Sequence, residues 1–559
     1  MWVRKPSYKS KISTTVIALI LFVDAPIATA QSEGERAIEL EHQRLEQIQR
    51  QRELENRTHT TLPIPEVEPG PALPATDMCF DVNAVEVDGV EQFSVSDIRR
   101  LYEPYLNTCM NLTEVNALVG KITRLYLDAG FITSRAYLPQ QNLVSGTLKI
   151  VVIEGFVEAL DISGGDERLL LTAFPGLTGK ALNLREIEQG LDQLNQASAN
   201  ARVEFIPGEK IGGTRVKINY EKLARFNFSI GADNGGQEST GEKKTNMSLG
   251  WQNPAGFNDS LYLNIQPKTP FSNSNNSSES VAINYAVPYG KWKLSTSISQ
   301  FEYFTLVFGS NTEFESHGSS DVINFVANRL LARNQQSKFF GELALKKQNS
   351  ENYIDDILLQ TSSREYQSAT LAFSWEKFLK RGGMLISSAS ISRGLSADYL
   401  VEQEGENLPE KTFSKINVGV TWYGNVRLKG KQLSAQSGLH GQYSNDELYS
   451  SEKLSIGSRY TVRGFNETGL SDASGAYWRN DISWQIPFSE GSVNYWQPYA
   501  GLDYGRVSDG TLAGYTVGLK MKGSNLFADL GYSRSISRPD TLADEDALTV
   551  VALTLSWRW

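Results

Sequence analysis

The chain has 559 residues, of which 40% are hydrophobic, and its mean hydropathy is −0.33. This composition excludes a bundle of transmembrane helices, because each such helix needs about 20 consecutive apolar residues. The formal net charge is −10, so the chain has no excess of basic residues to bind phosphates, and we expect no nucleic-acid partner.

Residues 1–30 have the pattern of a secretory signal peptide. Basic residues precede an apolar run over residues 12–23, and the small residues at 28–30 (ATA) form a cleavage site. An N-terminal membrane anchor is the alternative, although the apolar run is short for a membrane span. Gln31 stands where a lipoprotein would have Cys. We therefore expect an exported protein.

Residues 31–56 predict one polar helix. The segment is rich in Glu, Gln, Arg and Leu, which are strong helix formers, and has no Pro. Its apolar residues form only a narrow stripe, so the pattern favours a helix solvated on almost all sides, such as an exposed or coiled-coil arm. Residues 57–78 contain five prolines, which favour extended backbone, and we interpret them as a linker.

Two consecutive segments, residues 79–155 and 156–223, share one order of predicted elements. Each begins with a strand, continues with two amphipathic helices and ends with two strands. In the first segment the strand is predicted over residues 80–87, and Val95 and Ile98 lie on the apolar face of the first helix. Two small α+β domains in tandem are predicted.

The first of these domains contains both cysteines of the chain, Cys79 and Cys109. An oxidising compartment outside the cytoplasm permits a disulfide between them. A metal site with two cysteine ligands is the alternative, but no histidine lies near them in the sequence. We expect a disulfide.

Residues 224–559 alternate between apolar and polar residues with a period of two. One face of the last strand is formed by apolar residues: Val551, Leu553, Leu555, Trp557 and Trp559. Such alternation is typical of strands with lipid on one side and a polar lumen on the other. A soluble β-sandwich or β-helix would also alternate. The signal peptide and the aromatic terminal strand favour a transmembrane antiparallel β-barrel of about 16 strands.

Motifs for enzymatic chemistry are missing from the sequence. Gly179-Lys180 lacks the upstream glycine spacing of a phosphate-binding loop, and no zinc-protease or serine-hydrolase motif is present. We expect no enzyme, no cofactor, no metal site and no catalytic residues.

Two short stretches in the barrel region carry a specific motif. Residues 457–465 read GSRYTVRGF, and residues 501–505 read GLDYG. In this order, after two α+β segments, they resemble the loop and wall motifs of two-partner secretion outer-membrane transporters, which belong to the superfamily of barrel-assembly proteins. Residues 129–135 and 182–185 resemble parts of that family's two POTRA domains. The motif residues are Val462, Arg463, Gly464 and Phe465 in the loop, and Gly501, Asp503 and Gly505 on the wall.

The resemblance implies a 16-stranded barrel behind two POTRA domains, with residues 31–56 as a removable plug helix inside an ion-conducting pore. An inward loop over about residues 444–474 is expected to carry Arg463 to Asp503, where the guanidinium and the carboxylate form an ion pair.

The function that the resemblance implies is the export of a large unfolded exoprotein from the periplasm to the surface of a bacterial cell, without ATP. The cargo is an adhesin, a haemolysin or a contact-dependent toxin, which the periplasmic POTRA domains bind by strand addition. Further expected partners are outer-membrane lipid and the barrel-assembly machinery, which reads the terminal strand ending in Trp559. A barrel-insertion factor of the same superfamily is the alternative, whereas a passive porin would need neither POTRA domains nor a plug.

Overall fold

The computed structural model describes residues 33–64, 79–196, 199–269, 275–308, 313–360, 362–380, 382–395, 411–488, 493–542 and 546–558. The predicted signal peptide, most of the predicted linker and Trp559 lie outside the described residues. Within them the chain forms an N-terminal helix, two α+β domains and a closed β-barrel, in that order. No helix in this part of the chain is both long and apolar enough to cross a bilayer.

The described residues ahead of the barrel contain five α-helices: α1 (Glu33–Glu55), α2 (Val95–Tyr102), α3 (Leu112–Asp128), α4 (Arg168–Ala173) and α5 (Leu184–Gln196). Helix α1 occupies the segment predicted as a single polar helix. Helix α3 begins at a capping box, in which Asn111 and Glu114 each accept a hydrogen bond from the backbone N–H of the other.

The first α+β domain contains five short strands: β1 (Cys79–Val82), β2 (Ala84–Asp88), β3 (Thr108–Asn111), β4 (Arg135–Tyr137) and β5 (Thr147–Ile153). Strands β2, β5 and β4 form one sheet and β1 pairs with β3. The buried face of α3, with Val115, Leu118 and Ile122, belongs to the core beneath them.

Two details of this domain differ from the sequence predictions. The single strand predicted over residues 80–87 is two strands, because the N–H groups of Asn83 and Ala84 both donate to the carbonyl of Gly146 and redirect the chain. Val95 is 81% exposed, since it is the first residue of α2 and lies outside the core that Ile98 enters.

The second α+β domain has the predicted order of a strand, two helices and two strands. Its strands are β6 (Phe156–Ser163), β7 (Ala199–Pro207) and β8 (Gly213–Lys222), arranged as β6-β8-β7. Apolar residues at helical spacing on α5 are buried in the core: Leu184, Ile187, Leu191 and Leu194.

The remaining strands form the barrel and the loop inside it: β9 (Phe226–Asp233), β10 (Lys244–Gln252), β11 (Ser260–Gln266), β12 (Asn276–Tyr289), β13 (Trp292–Phe308), β14 (Glu313–Arg333), β15 (Ser337–Ile354), β16 (Ile357–Leu358), β17 (Arg364–Phe378), β18 (Gly383–Leu395), β19 (Ser414–Leu428), β20 (Lys431–Tyr443), β21 (Leu454–Ile456), β22 (Leu470–Asp472), β23 (Gly475–Ser483), β24 (Ile486–Pro487), β25 (Val493–Val507), β26 (Gly510–Gly523), β27 (Leu526–Ser537) and β28 (Leu548–Arg558).

All barrel strands pair antiparallel with their neighbours, and β28 pairs with β9 to close the ring. Strands β16 and β17 both pair with β15, and β23 and β24 both pair with β25, so each pair is one interrupted strand. The described residues therefore form a barrel of sixteen strands, and the predicted fold class is confirmed. On β28, four alternate apolar side chains are 38–52% exposed on the outer face: Val551, Leu553, Leu555 and Trp557.

The second α+β domain is docked against one end of the barrel through α4 and α5. In the turn between β10 and β11, the Asn258 amide donates to the carbonyl of Leu169 at 3.1 Å and to the Thr172 hydroxyl at 2.7 Å. In the turn between β12 and β13, the N–H of Gly290 donates to the Thr172 carbonyl at 2.7 Å. The second α+β domain is thus fixed at one defined rim of the barrel.

Candidate functional site: an anchored loop and a helix inside the barrel

The segment between β20 and β23 folds into the barrel lumen and corresponds to the loop predicted over about residues 444–474. It contains the 3-10 helix Ser450–Glu452 and the hairpin of β21 and β22. Its side chains contact the inner wall through Arg463, an apolar cluster and Glu452, and also through Arg459, which pairs with Asp233 of β9 at 2.9 Å. We call this segment, residues 444–474, the inward loop.

Arg463 of the inward loop forms a two-point ion pair with Asp503 of β25. The Nε of Arg463 donates to Oδ2 at 2.6 Å and Nη2 donates to Oδ1 at 2.8 Å, while the backbone N–H of Arg463 also reaches Oδ2 at 3.1 Å. Arg463 is 7% exposed and Asp503 is 1% exposed. The planar guanidinium matches both carboxylate oxygens, which the single ammonium of a lysine cannot do.

Strand β23 supplies two further acceptors for Arg463 that the sequence analysis missed. Nη1 donates to the Asp481 carboxylate at 2.6 Å, and Nη2 donates to the carbonyl of Asn480 at 3.1 Å. Asp481 is the register partner of Gly501, two residues from Asp503 on the facing strand. Asp481 could have been found by searching the preceding strand, β23, for acidic residues at every second position.

Glycines leave room for the loop at this contact. Gly464 has a φ of +98°, a left-handed conformation that favours glycine, and any side chain there would overlap the backbone of Arg534. On the wall, a side chain at Gly501 would overlap the Arg463 guanidinium, and one at Gly505 would come within 2.8 Å of the Val462 side chain.

Val462 and Phe465 anchor the inward loop by apolar contact. Phe465 is 1% exposed and Val462 is fully buried. They belong to one cluster with loop and wall residues: Ile456, Leu470, Val507 and Leu512. Fully burying a side chain of this size stabilises a structure by about 1.5–3 kcal/mol. The structure thus brings all the predicted motif residues of loop and wall together.

Glu452 is a third anchor, which the sequence did not indicate. Its carboxylate pairs with Lys415 of β19 at 2.7 Å and with Lys346 of β15, and it accepts a hydrogen bond from the hydroxyl of Tyr366 on β17 at 2.6 Å. Glu452 is 3% exposed. The loop is therefore tied to strands on two separate parts of the wall.

Helix α1 lies in the lumen against the inward loop. The Arg36 guanidinium donates to the loop carbonyls of Gly457 at 2.9 Å and Thr468 at 2.5 Å. The loop hydroxyl of Ser458 donates to the Gln43 side chain at 2.7 Å. The first turns of the helix also bury apolar atoms, because Ala37 and Ile38 pack on Phe301 and Tyr303 of the wall.

The remainder of α1 contacts the wall through long polar side chains. Arg44 donates to Asn246 at 3.1 Å and to Ser280 at 2.9 Å, and Arg52 lies 4.7 Å from the centre of the Tyr262 ring. A cavity of about 840 Å³ lies beside the helix, with Arg50 and Tyr477 among its lining residues. The prediction of solvation on almost all sides is wrong for the N-terminal turns, because a polar wall and loop carbonyls can bury a polar helix.

Cys79 and Cys109 are joined by a disulfide in the first α+β domain, with 5.3 Å between their Cα atoms. The bond links the neighbouring strands β1 and β3. It lies outside the barrel lumen, so it acts on the shape of this domain rather than on the loop.

A sixteen-stranded barrel has a helix and an anchored loop in its lumen, and it follows two α+β domains, the second of which is docked at one rim. This arrangement defines the class of outer-membrane transporters with POTRA domains. Residues 80–155 match the POTRA domain of ShlB type, and residues 154–207 match a further POTRA domain. Residues 212–521 match the haemolysin secretion/activation protein family ShlB/FhaC/HecB. The chain belongs to this family.

Relatives with known names agree with this assignment. The chain is 31% identical over 556 residues to the outer membrane transporter CdiB of Escherichia coli, covering 96% of this chain and 92% of that protein. It is 32% identical over 411 residues to the outer membrane transporter CdiB of Dickeya dadantii, covering 73% of each. The solved structure of CdiB from Escherichia coli matches with a TM-score of 0.84 and 29% identity, over 95% of this chain and all of that chain.

The chain is therefore an outer-membrane transporter of the two-partner secretion type, and its α+β domains are periplasmic. The predicted function class is confirmed over the alternative of a barrel-insertion factor, because the named relatives are transporters. These relatives are transporters rather than enzymes. The barrel rim that carries the docked α+β domain faces the periplasm.

Proposed function

We propose that the chain exports a large exoprotein in an unfolded state through its lumen, without ATP, a cofactor or catalysis by its own residues. The match to a family described by haemolysin secretion and activation supports a secreted protein as the cargo. The cargo is an adhesin, a haemolysin or a contact-dependent toxin. An unfolded chain is the form that fits, because a lumen of this strand number also has to hold the inward loop.

The observation that carries the proposal is the position of α1. The helix lies in the lumen and is held largely by hydrogen bonds of polar side chains. Water can replace each of these bonds, so their net stabilisation is about 0.5–1.5 kcal/mol between neutral groups and about 1.5–3 kcal/mol where an arginine donates. We therefore interpret α1 as a removable plug that leaves when cargo enters.

The motif residues hold the inward loop in place during this exchange. Arg463 and Asp503 fix its tip, Val462 and Phe465 fill the apolar contact, and Gly464 allows the tight turn. Gly501 and Gly505 on the wall leave the space that the side chains of the loop occupy. In this role the loop stays on one side of the lumen and leaves the space of α1 to the cargo. The disulfide of Cys79 and Cys109 keeps the first α+β domain stiff at the periplasmic side.

Cargo binding is proposed to occur by strand addition to an α+β domain. Among the described residues, β4 pairs only with β5, and β7 pairs only with β8. Such edge strands offer backbone N–H and C=O groups that an extended chain can bind with little demand on its sequence.

Two further partners are proposed from the outer surface. The alternating apolar side chains on the outside of the barrel, such as Val551 and Leu553, fit contact with outer-membrane lipid. The terminal strand ending in Trp559 is proposed to be read by the barrel-assembly machinery when the protein is inserted.

The test is an export assay in cells that express this chain together with a candidate exoprotein, which is an adhesin, a haemolysin or a contact-dependent toxin. Protease added to intact cells digests cargo at the surface, and assay of the medium detects released cargo. The cargo that stays protected in the cells is periplasmic. We expect export with the complete chain and loss of export with Arg463→Ala, at equal amounts of folded barrel. Lys347→Gln, which removes an exposed pair with Glu365 at 2.7 Å, is the control and should export normally. Export in cells lacking the chain would contradict the proposal.

A further inference from the structure

Four charged side chains are buried together where the second α+β domain meets the barrel. Glu188 and Asp192 lie on α5, Arg333 ends β14, and Lys338 lies near the start of β15. Their side chains are 1%, 1%, 3% and 5% exposed, respectively. The two acids are compensated by Arg333 and Lys338, and Arg185 of α5, whose side chain is 15% exposed, adds a further ion pair to Glu188 at 2.7 Å. Buried ions are tolerated when they are paired in this way.

The acids and bases of this cluster bond directly to one another. Asp192 Oδ2 accepts from Arg333 at 2.5 Å and from Lys338 at 2.6 Å, and Glu188 lies 3.4 Å from the Arg333 Nε. Burial alone would raise the pKa of the Asp192 carboxyl, but Lys338 and Arg333 outweigh burial and hold that pKa below its usual value. The contacts therefore join α5 to the turn between β14 and β15.

The same side chains also bind residues 57–64, which we call the connecting segment because they follow α1. The Asp192 carboxylate accepts from the N–H of Thr60 at 2.7 Å, and Glu188 accepts from the N–H of Leu62 at 2.9 Å. From the barrel side, Lys338 donates to the carbonyl of Thr58 and Arg333 donates to the carbonyl of Thr60, both at 2.6 Å. Each of the four charges thus bonds to an opposite charge and to the backbone of the connecting segment.

The connecting segment is held along its whole described length. Near α1, Arg57 pairs with Glu376 at 3.1 Å, and the His59 ring stacks on Phe378 at 3.7 Å between ring centres. At the far end, Leu62 and Ile64 pack against the core of the second α+β domain. Only two residues separate the last residue of α1, Glu55, from Thr58, so a fixed segment also limits how far α1 can move.

We propose that Asp192, Glu188, Arg333 and Lys338 are positioning residues that retain α1 in the lumen for as long as the second α+β domain is docked on the barrel. The inference rests on the proposed role of α1 as a plug. Removing the segment alone would leave the four charges without backbone partners. Separating α5 from the β14–β15 turn would take half of the hydrogen-bond partners from the segment. Movement of the periplasmic domain and release of the plug are therefore coupled by one shared set of bonds.

The experiment compares ion conductance of the purified full-length protein in planar lipid bilayers, without cargo. Asp192→Asn keeps the shape of the side chain and removes its charge. Glu186→Gln is the matched control, because Glu186 lies on the same helix and pairs with Lys291 of the barrel at 3.3 Å, but both side chains are 40–52% exposed. A variant lacking residues 31–56 gives the conductance of an unplugged barrel.

We expect Asp192→Asn to raise the fraction of time spent in the unplugged conductance state at least tenfold, which corresponds to about 1.4 kcal/mol. Glu186→Gln should match the unmodified protein. Lys338→Met tests the cluster from the barrel side, so the inference remains testable if Asp192→Asn damages the α+β domain. Because Asp192 and Lys338 act through one ion pair, the double variant Asp192→Asn/Lys338→Met should raise the unplugged fraction little beyond either single variant.

The inference would be overturned if Asp192→Asn and Lys338→Met both stay plugged while the variant lacking residues 31–56 conducts freely. That result would leave the plug role intact. Equal conductance of the deletion and the unmodified protein would instead contradict the plug role itself. In that event the rate of trypsin cleavage after Arg57 tests the proposal that the four charged residues hold the connecting segment in place. Cleavage that is faster in Asp192→Asn than in Glu186→Gln supports it, and equal rates contradict it.

Discussion

Replacing Arg463 by alanine should loosen the part of the inward loop around the β21–β22 hairpin without opening the barrel, while Glu452 still holds the loop at Ser450–Glu452. The guanidinium connects the loop to Asp503 and Asp481, and both acids belong to wall strands that keep their own backbone pairing. The perturbation therefore acts on the docked position of the loop and leaves the strand ladder unchanged.

The magnitude follows from burial. Asp503 is 1% exposed, and a buried charge that loses its partner is destabilised by about 3–5 kcal/mol. Asp503 retains the N–H of residue 463 at 3.1 Å and that of Asn480 at 3.3 Å, so we take the lower end, about 3 kcal/mol. At about 1.4 kcal/mol for each factor of ten, the ratio of docked to released loop falls about a hundredfold.

Amide hydrogen exchange measures this ratio directly. The hairpin of β21 and β22 should exchange about a hundredfold faster in Arg463→Ala, while β27 and β28 keep their protection. Asp481→Asn is the graded control, because the Asp481 side chain is 26% exposed and a partly exposed pair contributes about 1 kcal/mol or less. Unchanged exchange of the hairpin in Arg463→Ala would refute the reasoning, as would equal acceleration of all barrel strands.

Three further outcomes are expected. Deleting residues 31–56 should raise single-channel conductance with the barrel assembled, since a helix about 10 Å across leaves the lumen; unchanged conductance would show that the helix does not obstruct the pore. Glu452→Gln should loosen the loop around Ser450–Glu452 in hydrogen exchange and leave the Arg463 contact protected, because Lys346 and Lys415 lose their shared buried charge; simultaneous loss of both contacts would contradict two independent anchors. Cys79 and Cys109 should resist alkylation until a reductant is added, and reduction should destabilise the first α+β domain by about 2–4 kcal/mol in thermal unfolding; free thiols in the purified protein would contradict this.

The barrel and the contact between Arg463 and Asp503 could both be predicted from the sequence, but on different physical grounds. Lipid on one side and a polar lumen on the other impose a period of two on every strand, so the alternation at Val551 and Leu553 predicts their exposure. Arg463 and Asp503 were indicated by resemblance, and the chemistry of a guanidinium with a carboxylate fits the two-point contact that the structure has.

The contacts that sequence reasoning missed depend on register and on distant strands. Glu452 meets partners on β15, β17 and β19, and no local pattern reveals that these strands converge on it. The burial of the N-terminal turns of α1 was missed for another reason. An amphipathic stripe predicts an apolar docking surface, whereas Arg36 is buried here by backbone carbonyls of the inward loop.

The contacts of α1 also impose an order on biogenesis. Arg36 binds the carbonyl of Gly457, which lies 421 positions later in the chain, and Gly457 belongs to a loop whose wall partners on β25 and β26 come later still. The helix is made early, yet the part of its binding site that the inward loop forms exists only once β25 and β26 hold that loop. Contacts of such long sequence separation form slowly, since the chain between them must first be ordered. The N-terminal helix therefore cannot complete its contacts before the late strands are in place, and its full docking in the lumen is a late step of assembly.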